Sequence, residues 1–367
     1  MPNNKTASKS PNSSSRVSAA AVPADKLEQS FADTELPIRP PYPPAEARSI
    51  PEIPDGEGWL YEPKWDGFRC LVFRKDEQVL LQSKAGQPLG RYFPELIEMI
   101  KKMEPPKFVL DGEIVIYAGT HLSFDDLLMR IHPAATRIRK LSTETPATLM
   151  CFDLLVDAKG NSLTELPLAE RRVRLEKFFE NMAMKETLRL SPASKQRTQA
   201  EKWMTELASM GLDGIIAKRL DQNYSSGERT AMVKIKRMRT ADCVVGGFRY
   251  SEKGGGIGSL LLGLYNPQGE LDHVGFTSSF NKDQKQELKS VVEPLVGPPG
   301  FTGRAPGGPS RWSTERSSEW QPLESKLVCE VQYDHFSGGR FRHGSKFLRW
   351  RPEKKPLQCT MEQVHGK

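Results

Sequence analysis

The residues best suited to chemistry gather in a few short segments, and the first is YEPKWDGFRC. There Lys64 follows Glu62 by two positions, precedes the Asp66-Gly67 step by two, and has Arg69 close behind. A lysine is a nucleophile only as the free amine, and nearby cations or desolvation lower its pKa toward that form. Such an amine attacking the α-phosphate of a nucleotide would form a phosphoramidate and expel pyrophosphate. An ordinary surface lysine beside a turn is the plain alternative, because Lys-x-Asp-Gly also arises by chance.

Other segments strengthen the chemical reading. KFVLDGEIVIY sets Asp111 and Glu113 in an otherwise apolar run. Buried carboxylates are costly unless a cation or donors meet them, and beside phosphates a hard ion such as Mg²⁺ is the natural partner. Asp111-Gly112 also reads as a turn, so Glu113 carries the stronger claim. In TLMCFDLLV, Phe152 offers either a wall for a base pocket or simple core packing. GLDGIIAKR adds Asp213 and Lys218, and AMVKIKR puts Lys234 and Lys236 at strand spacing, hence on one face. Two ammonium groups pointing together repel unless an anion lies between them; a solvated basic edge is the alternative.

These residues need a scaffold. Between residues 58 and 236, strand-like runs alternate with the helix-like runs FPELIEMIKKM, LAERRVRLEKFFENM and QAEKWMTELASM, which reads as an α+β unit with mostly antiparallel strands. After Met238 about five short strands with one intervening helix (KDQKQELKSVVEPLV) suit a small OB-type barrel. The division expected is residues 1–30 as a disordered tail, 31–237 as the first domain and 238–367 as the barrel. The tail is Ser, Asn, Lys and Pro with almost nothing large and apolar. The stretch IRPPYPPAEARSIPEIP reads as an extended segment laid over a domain surface, and GPPGFTGRAPGGPS as a loop without chemistry.

Composition sets outer limits. The 53 Lys+Arg against 46 Asp+Glu leave a net charge of +7, modestly favouring polyanions. Five scattered cysteines show no metal-ligand spacing, and no apolar run is long enough for a membrane span. A cytoplasmic protein is expected, in a bacterium at the nucleoid, with no membrane partner.

Taken in order, KWDGFR, DGE, CFD, DGIIAK, VKIK and RPEK resemble the motifs of the covalent nucleotidyltransferases, and more narrowly the ATP-dependent DNA ligases. The resemblance spans almost all of the folded chain. The ending YDHFSGGRFRHGSKFLRWRPEKKP is similar to compact bacterial ligases related to the end-joining group. That resemblance implies a nucleotidyltransferase (adenylation) domain of antiparallel sheets with flanking helices, followed by an OB-fold barrel, without the large N-terminal DNA-binding domain of replicative ligases.

It also implies roles. Lys64 would carry AMP, Glu62 would help read adenine and Phe152 would stack on it. Arg69 would serve the nucleotide sugar and the nick phosphate, and Lys84 in QSKAG would grip phosphate. Glu113 and Asp213 would act near the ribose and the metal, Mg²⁺ or Mn²⁺. Lys234 and Lys236 would hold the α-phosphate, and Arg351 with Lys354 would reach the β- and γ-phosphates while the barrel is closed over ATP. The barrel must then turn away, with the hinge expected near Met238 and Arg239.

The sequence departs from the family pattern at three places. Lys84 stands where Arg is common, RPEK has Glu353 for Asp, and Asp213 replaces a frequent Glu; no charge is lost, but geometry changes. Nicked duplex DNA is the implied partner, with a repair polymerase or a Ku-like protein as candidates, and a monomer is expected. The alternatives are an RNA ligase or capping guanylyltransferase, and a non-catalytic DNA-binding protein. NAD⁺ is disfavoured because neither a nicotinamide-binding module nor a four-cysteine zinc site is found.

Overall fold

The computed structural model describes residue 31 and residues 36–180, 187–206, 210–251, 256–307 and 319–364. The tail expected over residues 1–30 lies outside them.

The first half opens with β1 (Ala47–Ser49), β2 (Trp59–Pro63), β3 (Phe68–Lys75) and β4 (Gln78–Ser83). Next come α1 (Pro94–Lys101), β5 (Lys107–Ala118), β6 (His121–Leu122), α2 (Phe124–Met129) and α3 (Ala135–Glu144). It closes with β7 (Ala147–Val156), α4 (Leu168–Glu180), β8 (Leu188–Leu190), α5 (Arg197–Glu206), β9 (Gly214–Arg219) and β10 (Met232–Lys236).

Two sheets form, in the orders β1-β10-β9-β2 and β4-β3-β5-β7-β8, with β6 beside β5. Pairing is antiparallel except for β1 with β10 and β7 with β8. Strand alternation sorts the side chains. Leu71 and Phe73 of β3 and Val109 of β5 pack with Met232 of β10 between the sheets. Cys70, Val72, Phe108 and Leu110 face the other way, onto α1 and α4 through Leu96, Ile100 and Leu175. Ala200 and Trp203 of α5 cover the outer face of the first sheet. Helix α1 forms as its pattern requires: Pro94 sits in its first turn and Leu96, Met99 and Ile100 line one buried stripe.

The proline-rich stretch is more than a surface strap. Its Ile38 and Ala45, and Leu36 just before it, are buried in the core between the sheets, so these non-proline apolar residues anchor it. Its segment Ala47–Ser49 pairs as β1.

β10 ends at Lys236 and the next strand begins at Arg239, a connection of two residues. The second half holds β11 (Arg239–Tyr250), β12 (Ile257–Tyr265), β13 (Leu271–Thr277) and α6 (Lys282–Val292). β14 (Gln321–Pro322), β15 (Val328–Tyr333), β16 (Phe336–Ser337), β17 (Arg340–Phe341) and β18 (Lys346–Trp350) follow. The order β13-β12-β11-β15-β18 is closed by a parallel bridge between Thr277 and Ser345, which makes the five-stranded OB barrel, with α6 between its third and fourth strands. All five cysteines are free and buried, and no described helix is long and apolar enough to cross a membrane.

Candidate active site

The cleft lies at one end of the space between the two sheets. From the first sheet, Glu62, Lys64, Lys218 and Lys234 line it; from the second, Arg69, Glu113 and Phe152, with Lys84 at the end of β4's hairpin. Val233 and Ile235 pack on the opposite face of β10, so alternation does direct Lys234 inward. Phe152 owes its position to a bulge: Asp153 opposes Asp111 and Cys151 opposes Gly112, which leaves Phe152 as the extra residue of β7.

Two glycines bring the strands close enough. A Cβ on Gly67 would lie 2.1 Å from the carbonyl oxygen of Ile114, and one on Gly214 only 2.0 Å from that of Ile235. The Asp-Gly steps therefore serve close approach as well as chain direction. The Lys64 N–H donates to the Gly214 carbonyl at 2.9 Å, which fixes the lysine beside Asp213.

Lys64 Nζ lies 2.7 Å from Asp213 Oδ2. Burial pulls the lysine pKa down, but the carboxylate of Asp213, aided by Asp66 and Glu113, outweighs it and holds the ammonium above its ordinary range. This corrects the expectation of a lowered pKa. Cations act instead on Lys234, whose own pKa is lowered by burial and by Lys236, Lys64, Lys84 and Arg229. Lys234 has no carboxylate partner among the described residues. Lys84 pairs with Glu46 at 3.0 Å.

Deeper in the cleft, Glu62 binds Lys218 at 2.9 Å, and burial still leaves its carboxyl above the usual range. Lys218 Nζ and the Arg69 guanidinium lie 4.5 and 4.6 Å from the centre of the Phe152 ring. Arg69 is held by both oxygens of Asp111 at 2.6 Å, and the Tyr224 hydroxyl donates to Asp111 at 2.6 Å. Asp111 is thus fully matched. Glu113 makes no hydrogen bond or ion pair with a described residue, and burial pushes its carboxyl up to about 7.

The barrel contributes residues that the sequence reading did not single out. Arg342 reaches Asp66 at 2.6 Å, Asp334 reaches Lys236 at 2.5 Å, and His335 Nδ1 lies 3.7 Å from Asp213. They share the segment YDHFSGGRFRHG, whose Gly338-Gly339 tip, with φ of 56° and 72°, turns β16 into β17. Sequence spacing could not reveal contacts between residues nearly 280 positions apart, although two histidines and two arginines around a Gly-Gly turn were a visible signal.

Not every expected residue joins the cleft. Arg351 pairs with Asp242 at 2.8 Å and Lys354 pairs with the same residue at 3.2 Å, both within the barrel. Neither lines the cleft in this arrangement.

The description "ATP dependent DNA ligase domain" matches residues 45–236, and "ATP dependent DNA ligase C terminal region" matches residues 253–354. DNA ligase C1 of Mycolicibacterium smegmatis is 45% identical over 90% of this chain and 95% of its own. The chain belongs to the ATP-dependent DNA ligases. DNA ligase C of Mycobacterium tuberculosis is 39% identical over 90% of this ligase and 95% of its own length. The multifunctional non-homologous end joining DNA repair protein LigD of the same organism is 28% identical over 83% of the ligase, which covers 37% of LigD. A solved LigE DNA ligase covers 84% of the ligase and 100% of its own chain, with a TM-score of 0.52 and 15% identity, and supports the fold.

As a member of this family the enzyme uses ATP and a divalent metal and seals nicks in DNA. The cleft fits such a metal. Glu113 is an oxygen donor with no hydrogen bond or ion pair to a described residue, and Asp66, Asp213 and His335 offer ligand atoms within 4.8 Å of one another. Asp66 and Asp213 already pair with Arg342 and Lys64, whereas Glu113 pairs directly with no described residue, so its oxygens are the ones left open to a cation.

Proposed function

We propose that Lys64 takes AMP from ATP, that AMP passes to the 5′-phosphate at the nick, and that the 3′-hydroxyl then displaces it. The observation that carries this reading is a lysine set against an acid in a cleft where the same sheet presents Lys234 with no carboxylate partner among the described residues. The Lys64 amine, after losing its proton, bonds to the α-phosphorus while the bond to the β-phosphate breaks and pyrophosphate leaves with the electron pair. Asp213 holds and aims the lysine, and Lys234 meets the charge that builds on the α-phosphate oxygens. Glu62 and Lys218 offer acceptor and donor for the base, Phe152 offers its ring, and Arg69 stands at the sugar. Lys84 sits at the open edge, suited to a DNA phosphate. A divalent cation held by Glu113 and Asp213 would neutralise phosphate charge.

The division of labour follows residues 31–237 for adenylation and 238–367 for the barrel. Because Arg351 and Lys354 pair within the barrel while Asp334, His335 and Arg342 meet the cleft, this arrangement suits DNA handling, and capture of ATP requires the barrel to swing about residues 237–239. Likeness to LigD supports end-joining repair; a polymerase or Ku-like recruiting partner, a monomeric enzyme and a bacterial nucleoid location belong to the same proposal.

The test is incubation with α-labelled ATP or GTP and Mg²⁺, followed by nicked DNA. ATP-only label that leaves the protein as nicks close fits the proposal. Label from GTP would redirect it to capping chemistry, and no label would leave only a DNA-binding role.

A further inference from the structure

Asp242, near the start of β11, serves two cations at once. Its Oδ1 meets Arg351 Nη1 at 2.8 Å and its Oδ2 meets Lys354 Nζ at 3.2 Å, so each oxygen holds one of them. The acid is the deepest of the three: its side chain is 11% exposed, against 20% for Arg351 and 29% for Lys354. The carboxylate therefore grips both cations from beneath, and the solvent-facing share of the group belongs to the cations. The exposed Glu353 takes Arg351 Nε at 2.5 Å, a contact at the rim where solvent screening weakens it.

We propose that Asp242 is a positioning residue for ATP capture, which sets the spacing and aim of Arg351 and Lys354 before the barrel swings over the triphosphate. This rests on the reading that those two residues meet the β- and γ-phosphates.

Three features build this fork. The turn Arg351-Pro352-Glu353-Lys354 is closed by the Lys354 N–H, which donates to the Arg351 carbonyl at 3.0 Å, and the Arg351 N–H donates to the Val328 carbonyl at 2.8 Å, which pins the turn to β15. Asp242 faces Glu330 across the β11–β15 pair, and carboxylates directly opposite one another repel unless a cation lies between them. Arg351 Nη1 is that cation, 3.5 Å from Glu330, which Arg349 holds at 2.7 Å. The backbone of Asp242 is fixed as well: its N–H donates to Gln363 Oε1 at 3.1 Å, and Gln363 Nε2 donates to its carbonyl at 3.2 Å.

The consequence is preorganisation. Two long side chains are ordered on the barrel before any nucleotide arrives, so less rotamer entropy is lost when phosphate oxygens meet them. A carboxylate that merely masked the cations would act in the opposite sense, and its removal would strengthen ATP capture. The two roles therefore predict opposite signs for one substitution.

The test measures, on full-length enzyme, the ATP concentration for half-maximal AMP labelling and the sealing rate of a nick that already carries 5′-AMP. Asp242→Asn keeps the shape of the side chain but turns an amide N–H toward one of the cations. It should raise the ATP requirement about tenfold while sealing of the adenylated nick changes less than about twofold. Gln363→Ala, which frees the backbone of Asp242 and leaves its charge, should raise the requirement by about threefold. In enzyme carrying both Arg351→Ala and Lys354→Ala, adding Asp242→Asn should change nothing further, since the acid acts through those two residues. An ATP requirement that is unchanged or lower in Asp242→Asn, while Arg351→Ala with Lys354→Ala raises it, overturns the inference alone. Equal losses in labelling and sealing for both Asp242→Asn and Gln363→Ala also overturn it, by assigning the acid to barrel stability. A wild-type ATP requirement in enzyme carrying Arg351→Ala and Lys354→Ala removes the underlying reading and this inference with it.

Discussion

A single guanidinium nitrogen of Arg342 lies 2.7 and 2.6 Å from the two carboxylate oxygens of Asp66, joining the barrel to the residue two positions after Lys64. The Arg342 guanidinium also sits 3.3 Å above the Phe124 ring. Removing one partner of a desolvated pair leaves the other charge uncompensated. Arg342→Ala should slow sealing by about 10²-fold, or ~2.7 kcal/mol, while AMP capture changes far less. Single-turnover rates for the separate steps check this; equal losses in both would mean that the pair serves the nucleotide rather than docking.

The pairing of Lys64 with Asp213 sets a pH dependence. Because the ammonium is held above its ordinary pKa, the reactive amine is the minor form at neutral pH. Its fraction rises about tenfold per pH unit below that pKa. The rate of AMP capture should therefore climb as pH increases. Asp213→Asn withdraws the carboxylate that favours the charged form, so the climb should begin at lower pH. Rapid-quench labelling at saturating ATP and Mg²⁺ reads the profile, and a shift toward higher pH would contradict the assignment.

Asp111 belongs to stability as much as to binding. It is fully buried and accepts from Arg69 and from Tyr224, which in turn accepts the Ala45 N–H at 3.0 Å. Asp111→Ala strands a guanidinium and a hydroxyl between the sheets and should cost about 3 kcal/mol or more. Denaturant unfolding measures it; a loss under about 1 kcal/mol would show that water replaces the carboxylate without difficulty.

Phe152 offers the ring wall of the cleft, flanked by Arg69 and Lys218. Phe152→Ala should raise the ATP concentration for half-maximal labelling by about tenfold, as expected for a lost stacking surface, with little change in sealing of a pre-adenylated nick. Equal damage to both reactions would assign the ring to core packing.

The strands and long helices were legible because their apolar periods are strong, as in KFVLDGEIVIY and FPELIEMIKKM. Helices α2 and α3 escaped notice: the first is one and a half turns and the second buries only Ile138. Lys64, Glu62, Arg69, Glu113, Phe152 and Lys234 line one cleft. The charge state of Lys64 was misjudged because its decisive neighbour, Asp213, is 149 positions away and reaches it only through tertiary packing. The loop GPPGFTGRAPGGPS, given no role from its sequence, buries Phe301 and supplies Arg304 to the hairpin tip.

The most direct test of the account is to expose the enzyme to ATP and Mg²⁺, digest it and locate the AMP adduct by mass spectrometry, with Lys64→Ala in parallel. The account predicts an acid-labile phosphoramidate on the peptide containing Lys64 and no adduct on the variant. An adduct elsewhere, or one that survives in Lys64→Ala, would contradict it.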